Sequence, residues 1–447
     1  MVSYASVPGG AGSSAAVPVT GTRSIQAAQQ FAAHLQDVSN AGSLVVQDAT
    51  QPVTAAPSAG MTGLLVLSKP GASVTVPAAG FGYFFDSAAG PTTVQGSALG
   101  IQLVAGTGGT SYFAGGGSDS VTFGGGANLY QSGAASGNST VQSGTGNDTI
   151  YATSGNNFIA ADTGSNLIEL GKGNNVVVST GQDVIAASTG ATTVGASTSG
   201  DAIFGGSGSM LVSDGGTGNV VVAGSGTTQI FAGASSTYYL GSGSGLVVAG
   251  TESDITVAGK GAALVYGGSA GQLVFGNSGS LTFVGGAGSN TVVGGTSSGT
   301  LFGSSGGTLN LFSQANGNLL VAGSGNETLI GASASGSNSY FSGSGSDVIL
   351  AGAGNDAFTM ETGSTTVTGG GGANLYILAD GAASKLVITD FHVGLDKLAL
   401  EGFGAGEVAT AIAKATTSGG SEILSLSDKT QITFVGVTTL HSTDFVQ

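Results

Sequence analysis

The chain has no cysteine and no tryptophan among its 447 residues, only 7 prolines, and only 32 charged side chains, of which 8 are Lys or Arg. Each shortage excludes something. Without Cys there is no disulfide framework and no thiolate metal site. Seven prolines exclude collagen and proline-rich linkers. Disorder usually needs high charge and low hydrophobicity, whereas here 40% of residues are hydrophobic and 7% are charged. The net charge of −16 reflects missing bases rather than surplus acids, and so few bases form no basic patch for nucleic acid. No apolar run reaches the ~18 residues that span a membrane. The first residues, MVSYASVPGGAGSSAAVP, lack the charged and apolar regions of a cleaved signal peptide.

What the chain has in excess is glycine, 85 residues, or about 19% against an ordinary ~7%. Glycine inside a helix costs about 1 kcal/mol relative to Ala, so a helical globule fits badly. The glycines recur instead. Gly250, Gly259, Gly268, Gly276, Gly286 and Gly295 lie eight to ten residues apart, and short alternating strands such as Leu264-Val265-Tyr266 and Leu281-Thr282-Phe283 sit between them. Nine residues with a corner at each end hold a short strand and no helix. The period therefore predicts an all-β, parallel β-solenoid.

The strongest units are Gly144-Thr-Gly-Asn-Asp148-Thr-Ile150, Gly323-Ser-Gly-Asn-Glu327-Thr-Leu329, Gly343-Ser-Gly-Ser-Asp347-Val-Ile349 and Gly352-Ala-Gly-Asn-Asp356-Ala-Phe358. They resemble the RTX (hemolysin-type) nonapeptide G-G-x-G-x-D-x-U-x. The resemblance covers about residues 100–380 and implies a β-roll with two nonapeptides per turn. It also implies Ca²⁺ between Gly-Asp corners of successive turns. The corner position departs from that pattern: it reads Asp119, Asn128, Asn138, Asp148, Asn157, Asn166, Asn175, Asp183. Asn stacks without a cation, whereas stacked Asp needs one to cancel repulsion. Corners about 18 residues apart share a side; Asp183 with Asp201, and Asp356 with Asn374, meet that condition, while Asp148 faces only Asn128 and Asn166. The candidate Ca²⁺ corners are Asp119, Asp148, Asp183, Asp201, Asp347 and Asp356. Few sites are expected, near the solenoid ends, with a metal-free middle. The bland alternative is Asp serving only as a turn residue.

The flanks differ in text. Residues 22–38 carry apolar residues at helical spacing, and Ile25, Phe31 and Leu35 are expected to join subunits from an N-terminal arm over residues 1–63. The solenoid is expected over 64–380. Residues 381–447 resemble the C-terminal type I secretion domain of RTX proteins and serralysin-type proteases. The matching positions are Asp390, Phe391, Gly394, Asp396, Lys397 and Leu398, with Asp444 and Phe445 near the terminus. That resemblance implies export to the exterior or the cell surface by a type I system. A helix is expected over 406–416 and a hairpin around SLSDKTQITF.

Catalytic patterns are sparse. The three His (His34, His392 and His441) form no H-E-x-x-H, so the protease half of a serralysin is absent. Gly267–Gly271, Gly295–Gly299 and Gly303–Gly307 fit G-x-S-x-G, but Gly/Ser-rich text produces such matches by chance, and none lies between a buried strand and a helix. A lyase acting on an anionic sugar needs clustered cations, and the only arginine is Arg23. Outward Thr is too irregular for an ice-binding plane. If Leu246, Val248, Leu264 and Tyr266 point inward, Val247, Val265 and Val274 form exposed apolar stripes and a lateral interface. The leading expectation is a non-enzymatic structural protein. It assembles with itself into a fibre, biofilm filament or surface layer, with a cell-surface polysaccharide as a second partner. The alternatives are a Ca²⁺-dependent adhesin and a β-helix carbohydrate-active enzyme.

Overall fold

The computed structural model describes every residue except Met1, Thr54, 307–308, Gln314, 332–334 and Gln447. The candidate motif Gly303–Gly307 therefore lies partly outside the described residues. The chain is an all-β parallel β-solenoid with two helices, Thr22–Asn40 and Glu407–Ala413. Contacts divide it into two compact units, Met1–Thr228 and Gln229–Gln447.

Along the regular solenoid of each unit a strand pairs in parallel with the strand two positions along, so alternate strands build two sheets. In the first unit Val141 pairs with Ile159 and Ile159 with Val177, each 18 residues on. Tyr130, Ile150 and Ile168 follow one another on the other sheet. In the second unit Val247 pairs with Val265 and Val265 with Phe283 on one sheet, while Thr256, Val274 and Val292 run along the other. All of these side chains are buried. They form a one-residue-wide seam from each strand, and the two seams meet to make the core. Strands of three to five residues suffice because each is paired on both edges.

This register reverses one expectation. Val247, Val265 and Val274 are at most 1% exposed and belong to the core, not to an outer stripe. Their neighbours Ile255 and Tyr266 point to solvent, with Leu246, Val248 and Leu264 partly exposed. The reason is the alternation of the strand. The corner residue turns inward, so the residue two positions later also does. Asp254 and Thr256 are buried while Ile255 between them is exposed, and the same phase applied from Gly245 buries Val247.

The first unit begins with an antiparallel hairpin, Val2–Pro8 against Ser14–Thr20. The long helix follows, and the solenoid then starts at Leu44–Asp48, which pairs in parallel with Thr62–Leu67. The N-terminal region thus has a core of its own: Val7, Val17, Ala28, Phe31 and Leu35 pack with Leu64, Phe85 and Val104. Phe31 lies 6.1 Å from Phe85 and 5.8 Å from Tyr83 between ring centres. Phe31 and Leu35 are buried within this chain and Ile25 is partly buried there, so they do not form the subunit-joining surface expected of them. The helix lies on the face of one sheet, covering Leu64, Phe85 and Val104, and is not a free arm. An amphipathic helix stays docked where such an apolar sheet face is within reach.

In the second unit the last strands extend the same two sheets. Lys385–Ile388 pairs in parallel with Gln431–Phe434, which turns antiparallel onto Ser421–Ser425. Lys397–Glu401 pairs with Phe445–Val446. A row of rings runs through this end: Tyr340, Phe358, Tyr376, Phe391 and Phe434, with successive centroids 4.9–5.9 Å apart.

Candidate metal-binding corners

Each corner of the nonapeptide places a short polar side chain inward, beneath the backbone of the neighbouring turn. Its oxygen accepts the N–H of the equivalent corner one turn earlier. In the first unit Asn128 N–H donates to Asp148 Oδ1 (2.8 Å), Asp148 N–H to Asn166 Oδ1 (2.9 Å), Asn166 N–H to Asp183 Oδ1 (2.9 Å), Asp183 N–H to Asp201 Oδ1 (2.8 Å) and Asp201 N–H to Asn219 Oδ1 (2.7 Å). On the opposite side the column runs from Asp119 through Ser139 and Asn157 to Asn175. Ser139, not Asn138, holds that position; Asn138 starts a second, exposed row through Asn156 to Asn174. In the second unit the column Asn318, Asn338, Asp356, Asn374, Asp396 is bonded in the same way, at 2.7–3.0 Å.

These ladders explain why Asn and Asp interchange. Either supplies the acceptor oxygen. Only Asn supplies an N–H as well, as Asn128 Nδ2 does to Asp148 (2.8 Å) and Asn166 Nδ2 to Asp183 (2.7 Å). An Asp therefore carries a second oxygen that needs a proton donor or a cation. One carboxylate oxygen of each of Asp148, Asp201 and Asp356, and both of Glu327, is buried without a hydrogen bond. A buried carboxylate in that condition is costly. Burial pushes Asp148 up to about 7 and Asp119 and Asp201 up to about 6. Asp183 and Asp356 are raised for the same reason. Burial raises Glu327 too, reinforced by Asp347 on the next turn.

Carboxylates also meet in pairs. Ser179 Oγ bridges Asp183 Oδ2 (2.7 Å) and Asp201 Oδ1 (2.9 Å). Glu327 N–H donates to Asp347 Oδ1 (3.1 Å), while Gly343 N–H donates to Asp347 Oδ2 (2.8 Å). Among the described residues no three His, Cys, Asp or Glu side chains converge into a cage. A hard cation such as Ca²⁺ completes its shell with backbone carbonyls, and glycine corners crowd such carbonyls together. The donor set is all oxygen, anionic and buried, which fits Ca²⁺ and suits no soft metal. Asp183 with Asp201, and Glu327 with Asp347, would supply the charge. Glu327 is missing from the sequence-derived candidates because it replaces the expected Asp.

The remaining candidates have structural partners. Asp390 accepts N–H groups from Gly369 (2.8 Å) and Gly370 (2.7 Å). Asp396 ends a corner column and accepts the N–H of His392 (2.8 Å). Asp444 accepts from Gly394 and His441, both 2.8 Å. Phe391 joins the ring row and Phe445 is buried on the last strand.

The raised carboxyls give a pH dependence of unusual sign. They bind protons more tightly folded than unfolded, so without calcium stability increases as pH falls from about 7.5 through 6 and levels off near the ordinary carboxylate range of about 4. Thermal melts in EGTA should show Tm rising on acidification to pH 5. A Tm that falls across that interval contradicts the buried, donor-poor corners.

A known repeat agrees with this geometry. The RTX calcium-binding nonapeptide repeat matches residues 135–168, 142–177 and 333–367, which include Asp148, Asn166, Asp347 and Asp356. No curated protein matches the sequence. The extracellular lipase LipA from Serratia marcescens is a solved structure with 17% identity and a TM-score of 0.19, over 43% of this chain. The alignment spans 40% of the lipase chain. The nonapeptide is a structural, calcium-binding module, and Ca²⁺ is its cofactor. The repeat matches and the corner ladders together show that the chain carries RTX calcium-binding nonapeptide repeats.

Proposed function

We propose that the chain is a secreted, calcium-binding structural protein that assembles with itself outside the cell into a filament, matrix or surface layer. The observation that carries this reading is the stapling of turns. In each unit the corners are joined to the next turn by buried hydrogen bonds, on top of two continuous parallel sheets. Such a body presents the same surface at every turn, which is what a repeating assembly uses. Ca²⁺ at the carboxylate corners adds stiffness where Asn is missing. The C-terminal resemblance to type I secretion domains supports export. Among the described residues, no helix is long and apolar enough to cross a membrane.

Because the apolar face of the N-terminal helix is spent on this chain's own sheet, the joining surface falls to the solenoid itself. Negative-stain electron microscopy of the purified full chain with millimolar Ca²⁺ tests the reading. Ordered filaments or sheets are expected. Dispersed single particles at every Ca²⁺ concentration and pH would overturn it.

A further inference from the structure

We infer that two outward apolar ladders on the second unit are the surfaces through which copies of this chain pack side by side. This rests on the self-assembly reading and names its interface. On one sheet, paired residues of successive turns present Val248, Tyr266, Val284, Phe302, Val321 and Phe341. All six are at least partly exposed, Tyr266 at 42% and Phe302 at 37%. The other sheet carries an equivalent ladder from Val257 through Phe275 and Phe312 to Leu350.

Three observations select a second copy as the occupant. The first is charge. The chain carries −16, so copies repel wherever acidic groups face each other. Among the described residues, no outward position of the twelve strands between Gly245 and Leu350 is charged. Glu327 and Asp347 point inward, and Glu252 and Lys260 sit at corners.

The second is periodicity. On the first sheet, rings alternate with Val, one turn each. With turns ~4.8 Å apart, rings recur every ~10 Å with a Val-sized depression between. An identical ladder displaced by one turn sets ring over Val, so the surface is complementary to itself. A polysaccharide would require polar groups between the rings; Val occupies those places, and the neighbouring outward row offers only the hydroxyls of Thr282, Thr300 and Ser339 among Leu246, Leu264 and Leu319.

The third is area. Six turns of ~4.8 Å by a strand about 10 Å wide give roughly 300 Å² per face. A stable pair buries about 800 Å² per partner. One face is too small for a lasting dimer. Two faces on opposite sheets let each copy take two neighbours, which produces an open array held by many weak contacts. The contact should therefore be cooperative and strongly concentration-dependent.

Sedimentation velocity over a hundredfold concentration range tests this with the full chain in Ca²⁺. Wild type should shift from monomer to large species. Tyr266→Ser with Phe302→Ser should stay monomeric to at least tenfold higher concentration, with an unchanged thermal melt. Val284→Lys, which puts a charge into the dry contact beneath the facing ring, should do the same. Leu99→Ser, at least as exposed but on no strand and outside the ladders, should assemble like wild type. Assembly of both ladder variants at the wild-type concentration overturns the interface and leaves self-assembly standing. A wild type that stays monomeric throughout overturns both. A wild type that sediments with insoluble β-glucan, lost in the ladder variants, and does not self-associate assigns the face to polysaccharide and overturns the proposal.

Discussion

Phe358→Ala is expected to destabilise the second unit by about 3–5 kcal/mol, the range for truncating a buried aromatic side chain. Phe358 has no solvent exposure and is stacked between Tyr340 at 5.1 Å and Tyr376 at 4.9 Å, with ring planes within 15°. Each such pair adds about 0.5–1.5 kcal/mol beyond area burial. The row continues through Phe391 to Phe434, so a gap here separates the last turns from those before them. In solenoids stability is a sum of nearest-neighbour terms. The loss should thus appear as an earlier transition of part of the chain, not a uniform shift. Urea unfolding followed by tyrosine fluorescence reads it, since the chain has no tryptophan. A change below about 1 kcal/mol would show that the ring row is not what holds this end.

Gly343→Ala should come second in effect. A Cβ on Gly343 would fall on the carbonyl oxygen of Gly323, one turn back. That neighbour is backbone, so the turns themselves must separate. Overpacking of this kind costs about 1–3 kcal/mol, occasionally more. The shift also disturbs the N–H that Gly343 donates to Asp347, and calcium affinity should fall with stability. Gly195→Ala is the matched control. Gly195 lies on the strand Thr192–Ala196 with open space around its Cα, and Ala there should be neutral or stabilising by up to ~1 kcal/mol. Equal effects at the two positions in thermal melts would remove close approach as the reason for the glycines.

How far the sequence reaches follows from what each feature depends on. The nine-residue glycine period depends on local geometry, and it located the parallel solenoid. The same arithmetic places Asp183 beside Asp201 and Asp148 between Asn128 and Asn166, as the bonded columns have them. The inward or outward phase was also present, two residues after each corner. At Val247 the apolar neighbours Leu246 and Val248 outnumber it and mask that phase. Ser139 displaces Asn138 because the intervening turn is longer than nine residues, and a slip of one residue changes which side chain faces in. Packing of Phe31 and Leu35 on Phe85 and Val104 joins residues tens of positions apart, for which no period exists. Asp396 matched a secretion-domain pattern, yet it also ends a corner column, since one residue can satisfy both.

Amide ladders, not calcium, are expected to hold most turns together, with Ca²⁺ confined to the few carboxylate corners. Far-UV circular dichroism of the full chain in excess EGTA at pH 7, with a thermal melt, measures this most directly. Most of the β signal should persist, and Tm should drop by a limited amount that Ca²⁺ restores. Loss of the β signal on chelation, recovered when Ca²⁺ returns, would contradict it.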